Sequence, residues 1–295
     1  MSNIISRLAA APISWGLVEV EGWGYQLEPA VVLDAIKDLG FKATEFGPLG
    51  FLPTTPDERR DFLSGQGLHG IGGFFPVVLH DPETDPLLAI KPELQAYEAS
   101  GATTLVLAAA TGLPDYDFKP VLDETGWKVL CSNLEAVNEL AAEHGITVVV
   151  HPHIGCMIET AADVDRIVAD TTVAICLDTG HLHSAGADTL AFTEQHIGRI
   201  KHTHLKDVDR ELGEQFSAGD FNFTEGVRRR MFVPLGDGAI PVREIITALV
   251  RNGYDGWFTL EQDTMLTGPE DAVKATADVK RSVEFLRELE RELGQ

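Results

Sequence analysis

Residues 173–181 read VAICLDTGH: an apolar run that ends in a carboxylate, followed by a glycine and a histidine. The run is short and carries no polar alternation. It reads as a strand buried on both faces, the kind that parallel sheets contain. Asp178 stands where the strand gives out. Alone it is as readily a turn or helix N-cap residue as a functional one, but His181 follows three residues later. The same grammar recurs on either side, in ITVVVHPH (146–153), RIKHTHLKD (199–207) and WFTLEQD (257–263). His151, His204 and Glu261 end these runs as Asp178 ends its own. If the four strands are neighbours in a barrel, these side chains converge at its C-terminal mouth. Two imidazoles and two carboxylates gathered there describe a divalent metal site with positions left open for substrate. His151 and His153 flank Pro152 and share a face, so either is a candidate ligand. His202 and His204 share a face at i, i+2 spacing. A Glu facing a buried interior at 261 is costly unless paired or ligated.

Strand-like runs at 7–14, 43–47, 69–77, 103–110, 146–152, 173–178, 199–205 and 257–261 alternate with helical patterns. Val32, Ile36 and Leu39 form one apolar stripe, stopped by Gly40. Trp127, Leu130, Leu134, Val137 and Leu140 form a longer one before Gly145. Val242, Ile245, Ile246 and Leu249 precede Gly253, and Val279, Val283 and Leu286 make the last, after Pro269. This alternation predicts an α/β fold, a (β/α)8 TIM barrel that takes residues 1–295 as one domain. A doubly wound open sheet is the competitor. It calls for a glycine-rich phosphate turn after the first strand, where this chain has SWGLVEVEGWG instead. Residues 208–238 read as one long irregular stretch between the seventh and eighth strands, a lid or substrate loop.

The formal net charge is −23. That balance argues against nucleic acid, whose phosphates need Lys and Arg, and against anionic membrane surfaces. No apolar run reaches the roughly 18 residues of a membrane span. The N-terminus lacks the basic region and long apolar core of a signal peptide. Three cysteines without CxxC spacing argue against a disulfide frame and fit a reducing cytoplasm.

At the mouth, Glu45 ends the second strand-like run, Trp15 ends the first, and Phe74 and Phe75 close the third. Aromatic walls suit a polyol or sugar ring. Plain barrel packing is the competing reading for the aromatics, and the favoured one for Phe74. PLGDG at 234–238 offers backbone N–H groups to a substrate, or is a simple turn.

HPHIGCMIET, CLDTGHLHSAGAD, HTHLKDV, VPLGDG and YDGWFTLEQD together resemble the xylose isomerase-like barrel superfamily, and within it the inosose (2-keto-myo-inositol) dehydratase group. AAPISWG and GFKATEFG are similar to that group's first two strands. The resemblance implies a Mn2+ or Co2+ ion, with Mg2+ or Zn2+ as substitutes, held by His151, Asp178, His204 and Glu261. It implies substrate contact by His181 beside the ion, Lys206 and Asp207 at the ion or directly behind its ligands, and Glu45 meeting distal hydroxyls. It also implies a small polyol or sugar substrate and a homo-oligomer, dimer or tetramer.

The chemistry expected is loss of water from a keto-polyol, with a base for the α-proton and an acid for the departing hydroxyl drawn from His153, His181, Lys206 and Glu45. Trp15, Phe75 and Asp207 complete the substrate-binding candidates. A lysine beside a divalent cation has its charged form disfavoured, which would bring Lys206 towards a free amine that can serve as a base. A ketose epimerase or isomerase is the alternative, and a degenerate sugar-binding barrel is the non-enzyme reading. An abasic-site endonuclease on the same barrel conflicts with the charge.

Overall fold

The computed structural model describes residues 4–294. Its strands are β1 (Leu8–Ala10), β2 (Ala43–Thr44), β3 (His69–Gly70), β4 (Gly72–Val78), β5 (Thr104–Ala110), β6 (Thr147–Val150), β7 (Ala174–Asp178), β8 (Ile200–Leu205), β9 (Asp207–Val208), β10 (Phe232–Val233) and β11 (Phe258–Leu260). Nine of them form one parallel sheet in the order β3-β2-β1-β11-β8-β7-β6-β5-β4. β3 and β4 are consecutive in the chain, with only Ile71 between them, so the two ends of this order meet and the sheet wraps into a barrel. The break falls at Gly72, whose φ is +120° and where a Cβ would come within 1.7 Å of the Thr104 carbonyl oxygen. Only glycine tolerates that backbone and that approach.

Helices cover the outside. The longest stripe predicted from sequence is the buried face of helix Glu124–Glu143, with Trp127, Leu130, Leu134 and Val137 turned to the sheet. Full burial of each such side chain stabilises by roughly 1.5–3 kcal/mol. The stripes at 32–36, 242–249 and 279–286 are buried likewise.

Side-chain alternation divides the strands into an outer and an inner set. Leu105, Leu107, Val148, Val150, Ile175 and Leu177 join the large core shared with the helices. Val106, Val149 and Cys176 form a separate small cluster with Phe74, and Ala9, Ala43 and Ile71 form another, both inside the barrel. Because the strand period is two, inward Ala43, Val149 and Cys176 place Glu45, His151 and Asp178 inward as well.

Two regions differ from the sequence reading. The first strand ends at Ala10. Pro12 removes a ladder donor, and residues Pro12–Trp15 form a 3-10 turn. The stretch 208–238 is largely ordered as helices Arg210–Ser217 and Phe223–Arg228, and β10 pairs antiparallel with β9. Asp209 and Asn222 cap those helices through Leu212 N and Glu225 N, each at 2.9 Å. Helices of eight and six residues carry too little periodicity to stand out in a sequence.

Candidate metal centre and substrate cavity

β6, β7, β8 and β11 stand side by side, so the residues at or just beyond their C-terminal ends share one floor. His151 Nε2 lies 3.1 Å from Asp178 Oδ2 and 3.2 Å from His204 Nδ1. His204 Nδ1 is 3.0 Å from Glu261 Oε2. One ligand-capable atom from each of these four residues lies within 4.8 Å of the other three, and all four residues are buried. Neighbouring ligands around one ion, with bonds of about 2.1 Å, are themselves about 3.0–3.4 Å apart. The cluster could offer an ion two imidazoles and two carboxylates, and His151 rather than His153 is part of it. The His153 ring instead donates from Nδ1 to the Ile154 carbonyl at 2.6 Å.

The two oxygens of Asp178 face different partners. Oδ1 accepts from His181 N at 2.8 Å and so caps helix Thr179–Ser184, while Oδ2 faces the cluster. Glu45 accepts from Nε2 of His202 and from Nε2 of His204, each at 2.8 Å, so that His204 Nδ1 faces His151 and Glu261. This is the carboxylate–imidazole support that orients a metal-binding histidine. Lys206 lies two residues beyond His204 on the same face. Its Nζ donates to Asp178 Oδ2 at 2.8 Å and to Glu261, and is 3.3 Å from Asp263 Oδ1. Gly180 makes room for it, since a Cβ there would stand 2.6 Å from the Lys206 Cβ.

The electrostatics follow from this crowding. Burial disfavours every charge here, yet Lys206, His181 and His151 hold the Asp178 carboxyl well below its usual range. Glu261 is held low by His204 and Lys206 against the same burial. Glu45 is brought down to about 2, again against burial, chiefly by His204 and His202. For His204, burial is outweighed by Glu261 and Glu45, which push it up to about 10. Burial holds His153 down at about 3, so that ring is neutral and its Nε2 is an open acceptor. Against burial, Asp178, Asp263 and Glu261 keep Lys206 well above an ordinary lysine. These carboxylates hold Lys206 as an ammonium, opposing the drop towards a free amine expected from a neighbouring divalent cation.

Above the floor is a cavity of about 430 Å³. Glu45, His151, His153, Glu261 and Asp263 line it, with Trp23, Phe46, Phe74, Phe75, Tyr116 and Phe223 among its walls. Phe75 is therefore where the sequence placed it. Phe74 also lines the cavity, with its ring 5.7 Å from both His151 and His153, rather than serving packing alone. His181 sits under His153, ring centroids 3.9 Å apart. Tyr116 covers the other side of His153 at 4.5 Å and donates its hydroxyl to Glu19 at 2.9 Å. Phe223 comes from the 208–238 segment, and Asp117 accepts from Asn222 Nδ2 and Thr224 N at its helix start.

Two predicted substrate residues are elsewhere. Trp15 is fully buried and donates from Nε1 to Thr276 Oγ1 at 3.0 Å, because the 3-10 turn carries it out of the barrel towards helix Asp271–Glu292. Asp207 has the opposite parity to His204 and Lys206 and faces away from the cavity. Its carboxylate accepts from the backbone of Val208, Gly236, Gly238 and Ile240 at 2.9–3.0 Å. Of the N–H groups of PLGDG, those of Gly236 and Gly238 are thus taken by Asp207, that of Leu235 by Ser282 Oγ and that of Asp237 by the Pro234 carbonyl. Conversely, Asp263 was overlooked. Its spacing of two from Glu261 was the available signal, and it lines the cavity.

The sequence profile described as xylose isomerase-like TIM barrel matches residues 33–289, and the chain belongs to that family. It is 30% identical to an inosose dehydratase of Geobacillus thermodenitrificans, over 94% of this chain and 97% of that protein. It is 31% identical to an inosose dehydratase of Lacticaseibacillus casei, over 93% and 95% of the two chains. Among solved structures, the IolI protein with a bound zinc atom superimposes with a TM-score of 0.69 at 16% identity, covering 95% of this chain and 97% of that one.

Proposed function

We propose that this protein is a divalent-metal-dependent hydro-lyase that removes water from a keto-polyol of the 2-keto-myo-inositol class. The observation that carries the reading is the convergence of His151, Asp178, His204 and Glu261 on the floor of an aromatic-walled cavity. The inosose dehydratases at about 30% identity over nearly full length support the substrate class. Manganese or cobalt is the ion of this proposal. The excess of buried carboxylates over Lys206 supports a cation, and the zinc of the IolI relative supports a divalent one. The cavity wall favours an uncharged ligand over a sugar phosphate, because Glu19, Glu45, Glu93, Glu261 and Asp263 line it against the single guanidinium of Arg59.

When bound, a divalent ion supplies Lewis-acid polarisation of a ketone oxygen. The residues of the chain supply the rest. Glu45 fixes the ring of His204. Phe74, Phe75 and Tyr116 exclude water and offer apolar surface to the face of a polyol ring. His153 Nε2 is the open acceptor at the cavity and is assigned the α-proton. As that C–H bond breaks, its electron pair becomes the new C=C bond. The β C–O bond breaks as that bond forms, and the hydroxyl leaves as water with a proton from the Lys206 ammonium.

The test is incubation of the metal-loaded protein with 2-keto-myo-inositol. A product lighter by one water, with ultraviolet absorbance of a conjugated dione or enediol, is expected. A product of unchanged mass would overturn the lyase reading in favour of an epimerase or isomerase.

A further inference from the structure

Among the described residues, the buried polar atoms without a hydrogen-bond partner include Asp263 Oδ2, whose residue lines the cavity, and His181 Nε2 directly beneath it. They face one another 3.6 Å apart, too far for a direct N–H···O bond. The ring of His181 is fixed by the backbone: its Nδ1 accepts from Ile154 N–H at 3.5 Å, so Nε2 carries the ring proton. One atom is then a donor without an acceptor, and the other an acceptor without a donor. Neither moves easily to close the gap. Asp263 Oδ1 is 3.3 Å from Lys206 Nζ, and the His181 ring packs against both His153 and Phe223. Unsatisfied buried groups cost stability, so a pair of them at a cavity calls for a ligand atom.

The chemistry selects which atom. An oxygen about 2.8 Å from each fits between atoms at this separation. A hydroxyl accepts from His181 Nε2–H and donates to Asp263 Oδ2. A ketone oxygen can only accept, and a methylene does neither. A cation is disfavoured, because the protonated Nε2 has no lone pair to give and the Lys206 ammonium already neighbours the carboxylate. We propose that Asp263 and His181 together hold one hydroxyl of the substrate, and that this pair makes the cavity selective for a ring hydroxylated at that position. The inference rests on the keto-polyol reading above.

The experiment compares 2-keto-myo-inositol with its monodeoxy derivatives, on the wild type, on Asp263→Ala and on the volume-conserving Asp263→Asn. kcat/KM is read on the manganese-loaded protein, the dissociation constant by calorimetry on the metal-free protein, and metal content by mass spectrometry. One deoxy position is expected to cost the wild type about tenfold or more in both constants. The same deletion should cost the Asp263 variants less than about twofold, with metal content unchanged. Equal losses in wild type and variants at every position would overturn the proposal. So would a uniform fall for all compounds in the variants, the mark of Asp263 acting only through Lys206. A wild type that converts none of the ketones would instead sink the functional reading itself.

Discussion

Asp178 uses its two oxygens for different purposes, and two substitutions separate them. Oδ1 caps helix Thr179–Ser184 through His181 N at 2.8 Å, and Oδ2 lies among His151, His204 and Lys206. Asp178→Asn keeps an oxygen for the cap and removes the charge. Asp178→Ala removes both. The cap is worth about 1 kcal/mol. With an unfolding entropy of about 2.1 cal/mol/K per residue, a chain of 295 residues melts roughly 1.6 °C lower for each kcal/mol lost. Alanine should therefore melt about 2 °C below asparagine. Both variants also break the buried pair with Lys206. That costs about 3 kcal/mol, the low end for such a pair, because Glu261 and Asp263 still hold the ammonium. Asp178→Asn should therefore melt about 5 °C, and Asp178→Ala about 6.5 °C, below the metal-free wild type.

The proposed metal role adds a third quantity. An ion at a hundredfold excess over its dissociation constant stabilises the folded chain by about 2.7 kcal/mol, or about 4 °C here. Calorimetric melting with and without Mn2+ should show this rise in the wild type and in neither variant. Mass-spectrometric metal content should fall in both. An Asp178→Asn protein that still binds metal and is stabilised by it would refute the ligand assignment. Equal melting of the two variants would refute the cap.

Two further outcomes follow from the same floor. Burial lowers His151, His153, His181 and His202, so the unfolded chain, with histidines near 6.5, takes up protons first as the pH falls. Their contribution to stability is complete above pH 6.5 and is lost on acidification, for His153 down to about 3, at up to about 1.4 kcal/mol per pH unit per ring. His204, raised to about 10, loses its contribution in the opposite direction, as the pH rises. Asp263, which burial raises to about 7, acts the other way over this window, but four lowered rings outweigh it, so the urea midpoint of the metal-free protein should fall between pH 6.5 and 5; a flat or rising midpoint would contradict the burial argument. Gly180→Ala would set a methyl 2.6 Å from Lys206 Cβ and 3.0 Å from Phe232 Cε1, at a cost of about 1–3 kcal/mol in urea unfolding. Unchanged stability would mean that the lysine is not held where the structure places it.

Much of the barrel was legible because its physics is local. A buried parallel strand needs an unbroken apolar run, and a covering helix needs a stripe of period 3.6; both lie in consecutive residues. Val173–Leu177 and the Trp127–Leu140 stripe show this. The 3-10 turn after β1 and the two helices within 208–238 were harder. Each is too short for periodicity, and only Pro12, Asp209 and Asn222 marked them. The Asp263–His181 gap was not legible at all, since it depends on how β11 and the start of helix Thr179–Ser184 approach in space.

Parity separates what sequence could have decided from what it could not. Once His204 faces inward, period two sends His202 and Lys206 inward and Asp207 outward. Asp207 therefore belonged to the loop, and the four backbone N–H groups it accepts confirm where it went. The same count from Glu261 brings Asp263 back to the mouth. Parity lapses only where the strand does. Trp15 lies five residues beyond Ala10, after a proline and a 3-10 turn, and no alternation carried through that turn places its indole. A polar residue just past a strand end can thus be assigned to the mouth or to the shell from its distance to an inward neighbour, whereas one beyond a turn requires the fold.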